Sequence, residues 1–343
     1  MKPILLSAFI LSTSAFAQND FELHSAKIDS VVSGFTENAQ LSYSFVTPEE
    51  TLFYGVLNHS SGLMQIENQD SSFEIASITK VFTSLVLSNY IQQEKLDPND
   101  KINAYIPFKI KKKITFKQLA NHTSGLPRLP ETFFEEVKDL EDPYAFFSTE
   151  ALEQYLSEGM NLISKPGKQY AYSNLGAGIL GYTLSKIEGI SYKNLVKSLI
   201  LEKYEMSNSG FDPENFKNTL TVPYTAKGKK CKNWNWDPSL IAAGGLISTS
   251  RDMSKFIRAH FDKENKELFI VTIPTLQISE NMSMGLGWHI VNTGGSNVLW
   301  HNGRSGGYTS SMIIDLENKK GLVLLSNQTK GNLDDLAFEL INL

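Results

Sequence analysis

Cysteine is nearly absent from this chain. Cys231 is alone among 343 residues, so no internal disulfide can form and no cysteine-based metal site can be built. The six histidines fall in no H-x-H or H-E-x-x-H spacing. A metal therefore has no support, and no cofactor is expected. Strong charge of one sign is also lacking. The formal net charge is −5, which argues against nucleic acid as the main partner. Past the first residues, no apolar run is long enough to span a bilayer. Internal repeats and low-complexity tracts are missing too.

What is present begins with a leader-like start. Lys2 supplies a short basic segment, and Ile4 to Phe16 is mostly apolar but too short to cross a membrane. Ala15-Phe16-Ala17 is an A-x-A cleavage site before Gln18. Residues 1–17 are therefore expected to be a signal peptide, with a buried N-terminal helix as the alternative. No cysteine follows the run, so no lipid anchor is expected there. The mature chain should be a soluble monomer working in the bacterial periplasm or outside the cell.

The chain is organised around Ser77-Ile78-Thr79-Lys80. This S-x-x-K stretch opens an apolar segment, from about Ser77 to Gln93, that reads as a helix buried nearly all round. Residues three apart share a helix face, so Lys80 can reach the Ser77 hydroxyl. A serine at a helix start has its own N–H free to face a developing oxyanion. The alternative is that Ser77 is only a cap.

Before that helix, Phe21 to Phe35 reads as an amphipathic helix, and Leu41–Val46, Thr51–Asn58 and Leu63–Ile66 read as strands. The middle is mostly helical. Thr115–Ala120, Leu175–Ile187 and Tyr192–Leu201 are expected helices, and Glu131–Phe147 reads as an amphipathic surface helix or a lid. Lys227, Lys229, Lys230 and Lys232 form a basic loop, either simply solvated or a rim that attracts anions. After a helix over Ser250–His260, strands return from Gly285 to Ser326, and Asp334–Leu343 closes as a helix. The class is α/β in the α+β sense: an antiparallel sheet flanked by helices, with a helical part inserted. Residues 18–95 and 240–343 are assigned to the sheet domain and 96–239 to the helical one.

Two further motifs carry chemistry. In Tyr172-Ser173-Asn174 an extended bend would point Tyr172 and Asn174 the same way. Tyr192-Lys193-Asn194 has the same spacing, but it lies in a helical segment, where residues two apart diverge. A tyrosine serves as a base only if a cation depresses its pKa, and Lys80 is the candidate. His301-Asn302-Gly303 is placed at a strand end. It is followed by Arg304-Ser305-Gly306-Gly307-Tyr308, whose glycines allow close backbone approach. His301 could donate to a carboxylate or to Tyr172. Gly303 to Gly307 also fits G-x-S-x-G, but that elbow needs a following helix and a later histidine, and neither is expected.

With these elements in order, the chain resembles the serine β-lactamase and penicillin-binding-protein superfamily, in its class C and D,D-peptidase-like branch. The resemblance rests on Ser77 to Lys80, on Thr115 to Pro127 with its His122-Thr123-Ser124-Gly125-Leu126-Pro127 end, and on Pro166-Gly167 with Tyr172 to Asn174. Ala242 to Leu246, Gly285 to Trp288 and His301 to Tyr308 complete it. It implies the β-lactamase/transpeptidase-like fold, with a site at the junction of an α/β and an all-helical domain. It further implies Ser77 as nucleophile, Lys80 as its activator, Tyr172 as general base and Asn174 as orienter of a substrate amide. The N–H groups of Ser77 and Arg304 would form the oxyanion hole, with His301, Asn302 and Gly303 lining the substrate. The implied substrates are D-amino-acid peptides, β-lactams or esters. Class C β-lactamases usually carry K-T-G where this chain has His301-Asn302-Gly303, and histidine there looks more like certain D,D-peptidases and esterases of the family.

Overall fold

The computed structural model describes residues 21–343; the signal peptide expected over 1–17 lies outside the described residues. The strands are β1 (Gln40–Val46), β2 (Thr51–His59), β3 (Gly62–Gln65), β4 (Phe73–Glu74), β5 (Ile247–Ser248), β6 (Leu276–Ser279), β7 (Met282–Met284), β8 (His289–Asn292), β9 (Asn297–Arg304), β10 (Thr309–Asp315) and β11 (Lys320–Ser326). Nine of them form one sheet in the order β3-β2-β1-β11-β10-β9-β8-β7-β6, antiparallel throughout. β4 and β5 pair separately. The helices are α1 (21–32), α2 (Thr79–Gln92), α3 (Phe116–Ala120), α4 (Phe133–Glu136), α5 (Thr149–Glu158), α6 (Asn174–Glu188), α7 (Tyr192–Val196), α8 (Ser250–Ala259), α9 (Lys266–Val271) and α10 (Leu333–Ile341).

Strand alternation divides the apolar residues between two cores. Leu322, Leu324 and Ile313 face α1 and α10, where they meet Ile28, Val32, Leu336 and Leu340. Val323, Leu325, Met312 and Ile314 face the other way, onto α2 and α8. On that side α2 is buried from Thr79 through Tyr90, so it serves as a central post, as its all-round apolar pattern requires. Among the described residues, no helix is long and apolar enough to cross a membrane.

Between α2 and β8 the structure departs from the sequence expectation at several elements. The α-helix proper begins at Thr79, and Ser77 lies in a 3-10 turn over Ala76–Ile78. Glu131–Phe147 is not a continuous helix. It holds only α4 and a short 3-10 turn at Pro143–Ala145. Phe133 and Phe147 are both buried, and Asp142 accepts from the Asn235 N–H at 2.7 Å. Tertiary contacts to the 229–236 loop thus override the helical pattern. The strand expected from Gly285 starts only at His289. Gly285 donates to the Trp288 carbonyl at 2.8 Å, and Gly287 has φ +75°, where an added Cβ would lie 2.6 Å from Ser84 Oγ on α2. The turn 285–288 is a spacer seated on the helix. In the basic loop, Lys229 and Lys232 pair with Glu141 and Asp139 at the surface, which is the solvated outcome, since water and salt screen such exposed pairs.

Candidate active site

The centre of the site is made by a backbone bend. After β4 the chain turns through Ala76, a non-glycine residue at φ +47°, a left-handed conformation that L-residues rarely adopt. Thr79 holds the bend: its Oγ1 donates to the Ala76 carbonyl at 2.6 Å and accepts from the Leu246 N–H at 3.0 Å. Ser77 is thereby left half-accessible between buried neighbours. The N-cap of α2 is Ile78, whose side chain makes no cap bond, so Ser77 does not hold the capping position. Lys80 follows one turn on and is 2% exposed. Its Nζ donates to Ser77 Oγ at 3.1 Å and to the Ala243 carbonyl at 2.5 Å. Burial, and then the nearby charge of Arg128, hold the Lys80 amine well below the usual lysine range.

Tyr172 reaches the same serine from the segment before α6. Ser173 caps that helix, accepting from the Gly176 N–H at 2.8 Å and donating to the Pro127 carbonyl at 2.6 Å. The Ser173 N–H donates to His122 Nδ1 at 3.2 Å. These bonds lock residues 170–174 onto the 122–128 loop. The Tyr172 hydroxyl is near enough to Ser77 for the serine to draw its pKa down, and Lys80 Nζ lies 4.9 Å from its ring centroid. A tyrosine acting as base would need Lys80 to depress the Tyr172 pKa. Instead burial pushes Tyr172 well up, with Ser77 and Arg128 only partly offsetting it. Tyr192 is placed elsewhere: buried, with its hydroxyl 2.6 Å from Thr83 Oγ1.

Asn174 begins α6. Its Nδ2 donates to the Tyr144 hydroxyl at 2.9 Å, while Oδ1 is buried without a partner among the described residues. Tyr144 is stacked on Trp236, with ring centroids 4.0 Å apart, so an aromatic wall flanks the amide.

β9 closes the opposite side. A Cβ added at Gly303 would lie 2.2 Å from the Ile75 carbonyl and 2.9 Å from the Ser77 nitrogen. Only glycine lets the strand pass this close. Alternation then puts His301 on the same face as Gly303. Asn302 and Arg304 lie on the other face. The Asn302 amide donates to Asp334 on α10 at 2.6 Å, and the Arg304 guanidinium donates to the Thr329 carbonyl. Neither side chain lines the site, contrary to the substrate-facing place expected for Asn302. His301 is not at a strand end but inside β9, 1% exposed. Its Nδ1 is 2.7 Å from the Asn302 carbonyl, which fixes the N–H there and leaves a lone pair on Nε2, buried and without a partner. Burial holds His301 well below the usual histidine range, with His289 and Lys80 adding to it.

Several residues at the site escaped sequence reasoning as participants. His122 lies against the Tyr172 ring, centroids 4.5 Å apart. Tyr170 shares a 2.9 Å hydrogen bond with His289 Nε2, and His289 is 5.6 Å from His301, ring to ring. Tyr170 could have been found, since it lies two residues before Tyr172 in extended chain. His289 could not, because only the β8–β9 register, which pairs it with Trp300, brings it there. Beneath Ser77, Glu74 is buried, accepting from the Trp234 N–H at 2.8 Å and Asn233 Nδ2 at 3.1 Å. Burial pushes its carboxyl up to about 7. The G-x-S-x-G at Gly303 to Gly307 is a turn into β10, not into a helix. No group of three or more metal-ligating side chains occurs among the described residues.

Known proteins share this arrangement at the level of fold. The chain superposes on a β-lactamase/D-alanine carboxypeptidase from Pseudomonas syringae with a TM-score of 0.80 at 18% identity, over 94% of this chain and 99% of that one. In sequence it is 28% identical to Beta-lactamase-like protein 2 of Dictyostelium discoideum, over 94% of this chain and 64% of that protein. It is 24% identical to Penicillin-binding protein 4* of Bacillus subtilis, over 79% of this chain and 65% of that protein. The chain thus spans less than two thirds of the length of these two relatives. The sequence profile named Beta-lactamase matches residues 52–342. That match takes in every element around Ser77, and by it the chain belongs to the Beta-lactamase family, within the β-lactamase and penicillin-binding-protein superfamily of serine hydrolases.

Proposed function

We propose that this chain is a secreted serine acyl-hydrolase that forms an acyl-enzyme at Ser77 and cleaves amide bonds of D-amino-acid peptides or β-lactams. One observation carries the reading: Lys80 Nζ, 3.1 Å from Ser77 Oγ, in a setting that favours its neutral amine. A neutral amine that donates to the Ala243 carbonyl keeps a lone pair for the Ser77 proton. Ser77 Oγ then attacks the carbonyl carbon, and the developing oxyanion is met by the Ser77 and Arg304 N–H groups. The close approach of Gly303 to the Ser77 nitrogen supports that pairing. Tyr172, held protonated, passes its proton to the leaving group, and the Lys80 ammonium, which holds the proton taken from Ser77, returns one to the Tyr172 phenolate. Water deacylates by the reverse relay. The unpartnered Asn174 Oδ1 is the acceptor for a substrate amide N–H.

A carboxylesterase working with the same residues is the second reading. It is favoured by His301, a group held neutral where class C β-lactamases usually carry the lysine of K-T-G. Parallel incubation with a chromogenic cephalosporin, a D-Ala-D-Ala peptide and a short-chain ester separates the readings by turnover. Acylation by penicillin without turnover would mark a sensor instead. Ser77→Ala is expected to abolish labelling by fluorescent penicillin and by fluorophosphonate, whereas retained labelling at another serine overturns the proposal. Ser305→Ala leaves labelling largely intact. Secretion is part of the same proposal, and N-terminal sequencing of the extracytoplasmic protein, expected to begin near Gln18, tests it.

A further inference from the structure

We propose that Arg128 is the specificity residue of this site, binding a carboxylate on the substrate while Ser77 attacks its carbonyl. The inference rests on the reading of Ser77 as nucleophile.

Arg128 is fixed by its backbone and free at its head. Its carbonyl accepts from the Asn174 and Leu175 N–H groups, at 3.0 and 3.1 Å, which pins it to the start of α6. Its guanidinium lies 5.1 Å from the Tyr172 ring centroid, and Lys80 Nζ lies 4.9 Å from that same centroid. One phenol ring therefore links the exposed guanidinium to the amine that touches Ser77. Among the described residues, no acidic side chain pairs with the Arg128 guanidinium, and no hydrogen bond engages it.

The other basic groups near Ser77 are committed elsewhere. Lys80 is occupied by Ser77 and Ala243. The Arg304 side chain leaves the site for Thr329. His122, His289 and His301 are held neutral by burial, and the position that carries lysine in K-T-G enzymes is His301. A carboxylate entering this pocket thus meets one fixed positive charge with open donors. A guanidinium presents its N–H groups as a planar fork that matches a carboxylate, and it stays charged at any working pH. The stacking on Tyr172 sets the orientation of that fork.

The test uses matched esters that differ only by a carboxylate. Mono-p-nitrophenyl glutarate against p-nitrophenyl valerate places the charge on the acyl side. Meta-carboxyphenyl phenylacetate against phenyl phenylacetate places it on the leaving side. The readout is the charged-over-neutral ratio of kcat/KM, so any shared effect on Tyr172 cancels. Arg128→Gln is expected to lower that ratio roughly 10- to 100-fold for the pair whose carboxylate reaches the guanidinium, and Arg128→Lys to restore part of it. A ratio unchanged in both pairs overturns the proposal, as does a ratio that rises. Where ester turnover is too slow to follow, the same ratio is taken from labelling rates with anionic fluorescent penicillin and uncharged fluorophosphonate. The two readings fail separately. Labelling that survives Ser77→Ala removes the nucleophile, whereas an unchanged ratio with labelling confined to Ser77 removes Arg128 alone.

Discussion

Lys80 and Tyr172 sit 4.9 Å apart, amine to ring centroid, and burial drives their pKa values in opposite directions, lysine down and tyrosine up. Both shifts favour the neutral form, so the proton transfer proposed among Lys80, Ser77 and Tyr172 would begin with no net charge to solvate.

The first prediction concerns Lys80. In the proposed mechanism the free amine is the active form, so the rate should fall as pH drops through the lowered Lys80 pKa, with no limb near the ordinary lysine value of about 10.4. Lys80→Met should cost roughly 10²–10⁴ in acylation rate. Its effect on stability has the opposite sign. The unfolded chain binds the Lys80 proton more readily than the folded one, so the native lysine is a burden at low pH that fades as pH rises toward the unfolded value. Lys80→Met should raise the melting temperature, more at pH 6 than at pH 10. A scan at both pH values checks it.

Tyr172→Phe keeps the ring and loses the hydroxyl. The expected loss in rate is roughly 10²–10⁴, with a near-native melting temperature. Tyr192→Phe removes a buried hydroxyl bonded to Thr83, and should cost about 1 kcal/mol of stability with little change in kcat. Steady-state kinetics on both variants distinguish the two Tyr-x-Asn copies.

A titration near neutrality should belong to Glu74 and not to His301. The Glu74 carboxyl, pushed up to about 7, holds its proton more tightly folded than unfolded. Its contribution is fully present below about pH 4.3, its unfolded value, and is lost as pH rises through 7. Glu74→Gln should therefore stabilise the protein at pH 8, by on the order of 3 kcal/mol, and hardly at pH 4. His301→Ala should leave the shape of the rate–pH profile between pH 6 and 8 unchanged. Melting curves at two pH values and rate profiles of the two variants give the answer.

Gly303→Ala forces a methyl to within 2.2 Å of the Ile75 carbonyl and 2.9 Å of the Ser77 nitrogen. Backbone has to move at the bend that presents the serine. The expected cost is roughly 1–3 kcal/mol in stability, with a larger loss in labelling rate at Ser77. Denaturant melts and labelling kinetics measure the two separately.

Much of the frame was legible because alternation and turn chemistry are local signals. Leu41–Val46 and Gly321–Ser326 read as strands because their side chains face two cores, and both bear that out. Ser77 and Lys80 were legible as a pair because three-residue spacing survives the change from α-helix to 3-10 turn. The left-handed Ala76 was not, since nothing in its type announces φ +47°. Tertiary register was the other blind spot. His289 meets His301 only through the β8–β9 pairing, and the buried state that sets their charge depends on the whole pocket. Asn302 was misjudged because a motif read as a string ignores that neighbouring strand residues face opposite sides. The short strands β6 and β7 were missed because the alternation in Leu276–Ser279 runs for only four residues and Met282–Met284 has only three.

The pairing of β1 with β11, Leu41 opposite Ser326, joins segments near the two ends of the sequence. A chain emerging from a ribosome or a translocon cannot complete this sheet until β11 is out. β9, which presses on Ser77, is tied through Asn302 to Asp334 on α10, so a helix made after every strand of the sheet fixes the one beside the serine. The acylation proposed for Ser77 therefore waits on α10 during synthesis, and a nascent chain halted between β11 and α10 should be inert toward fluorescent penicillin.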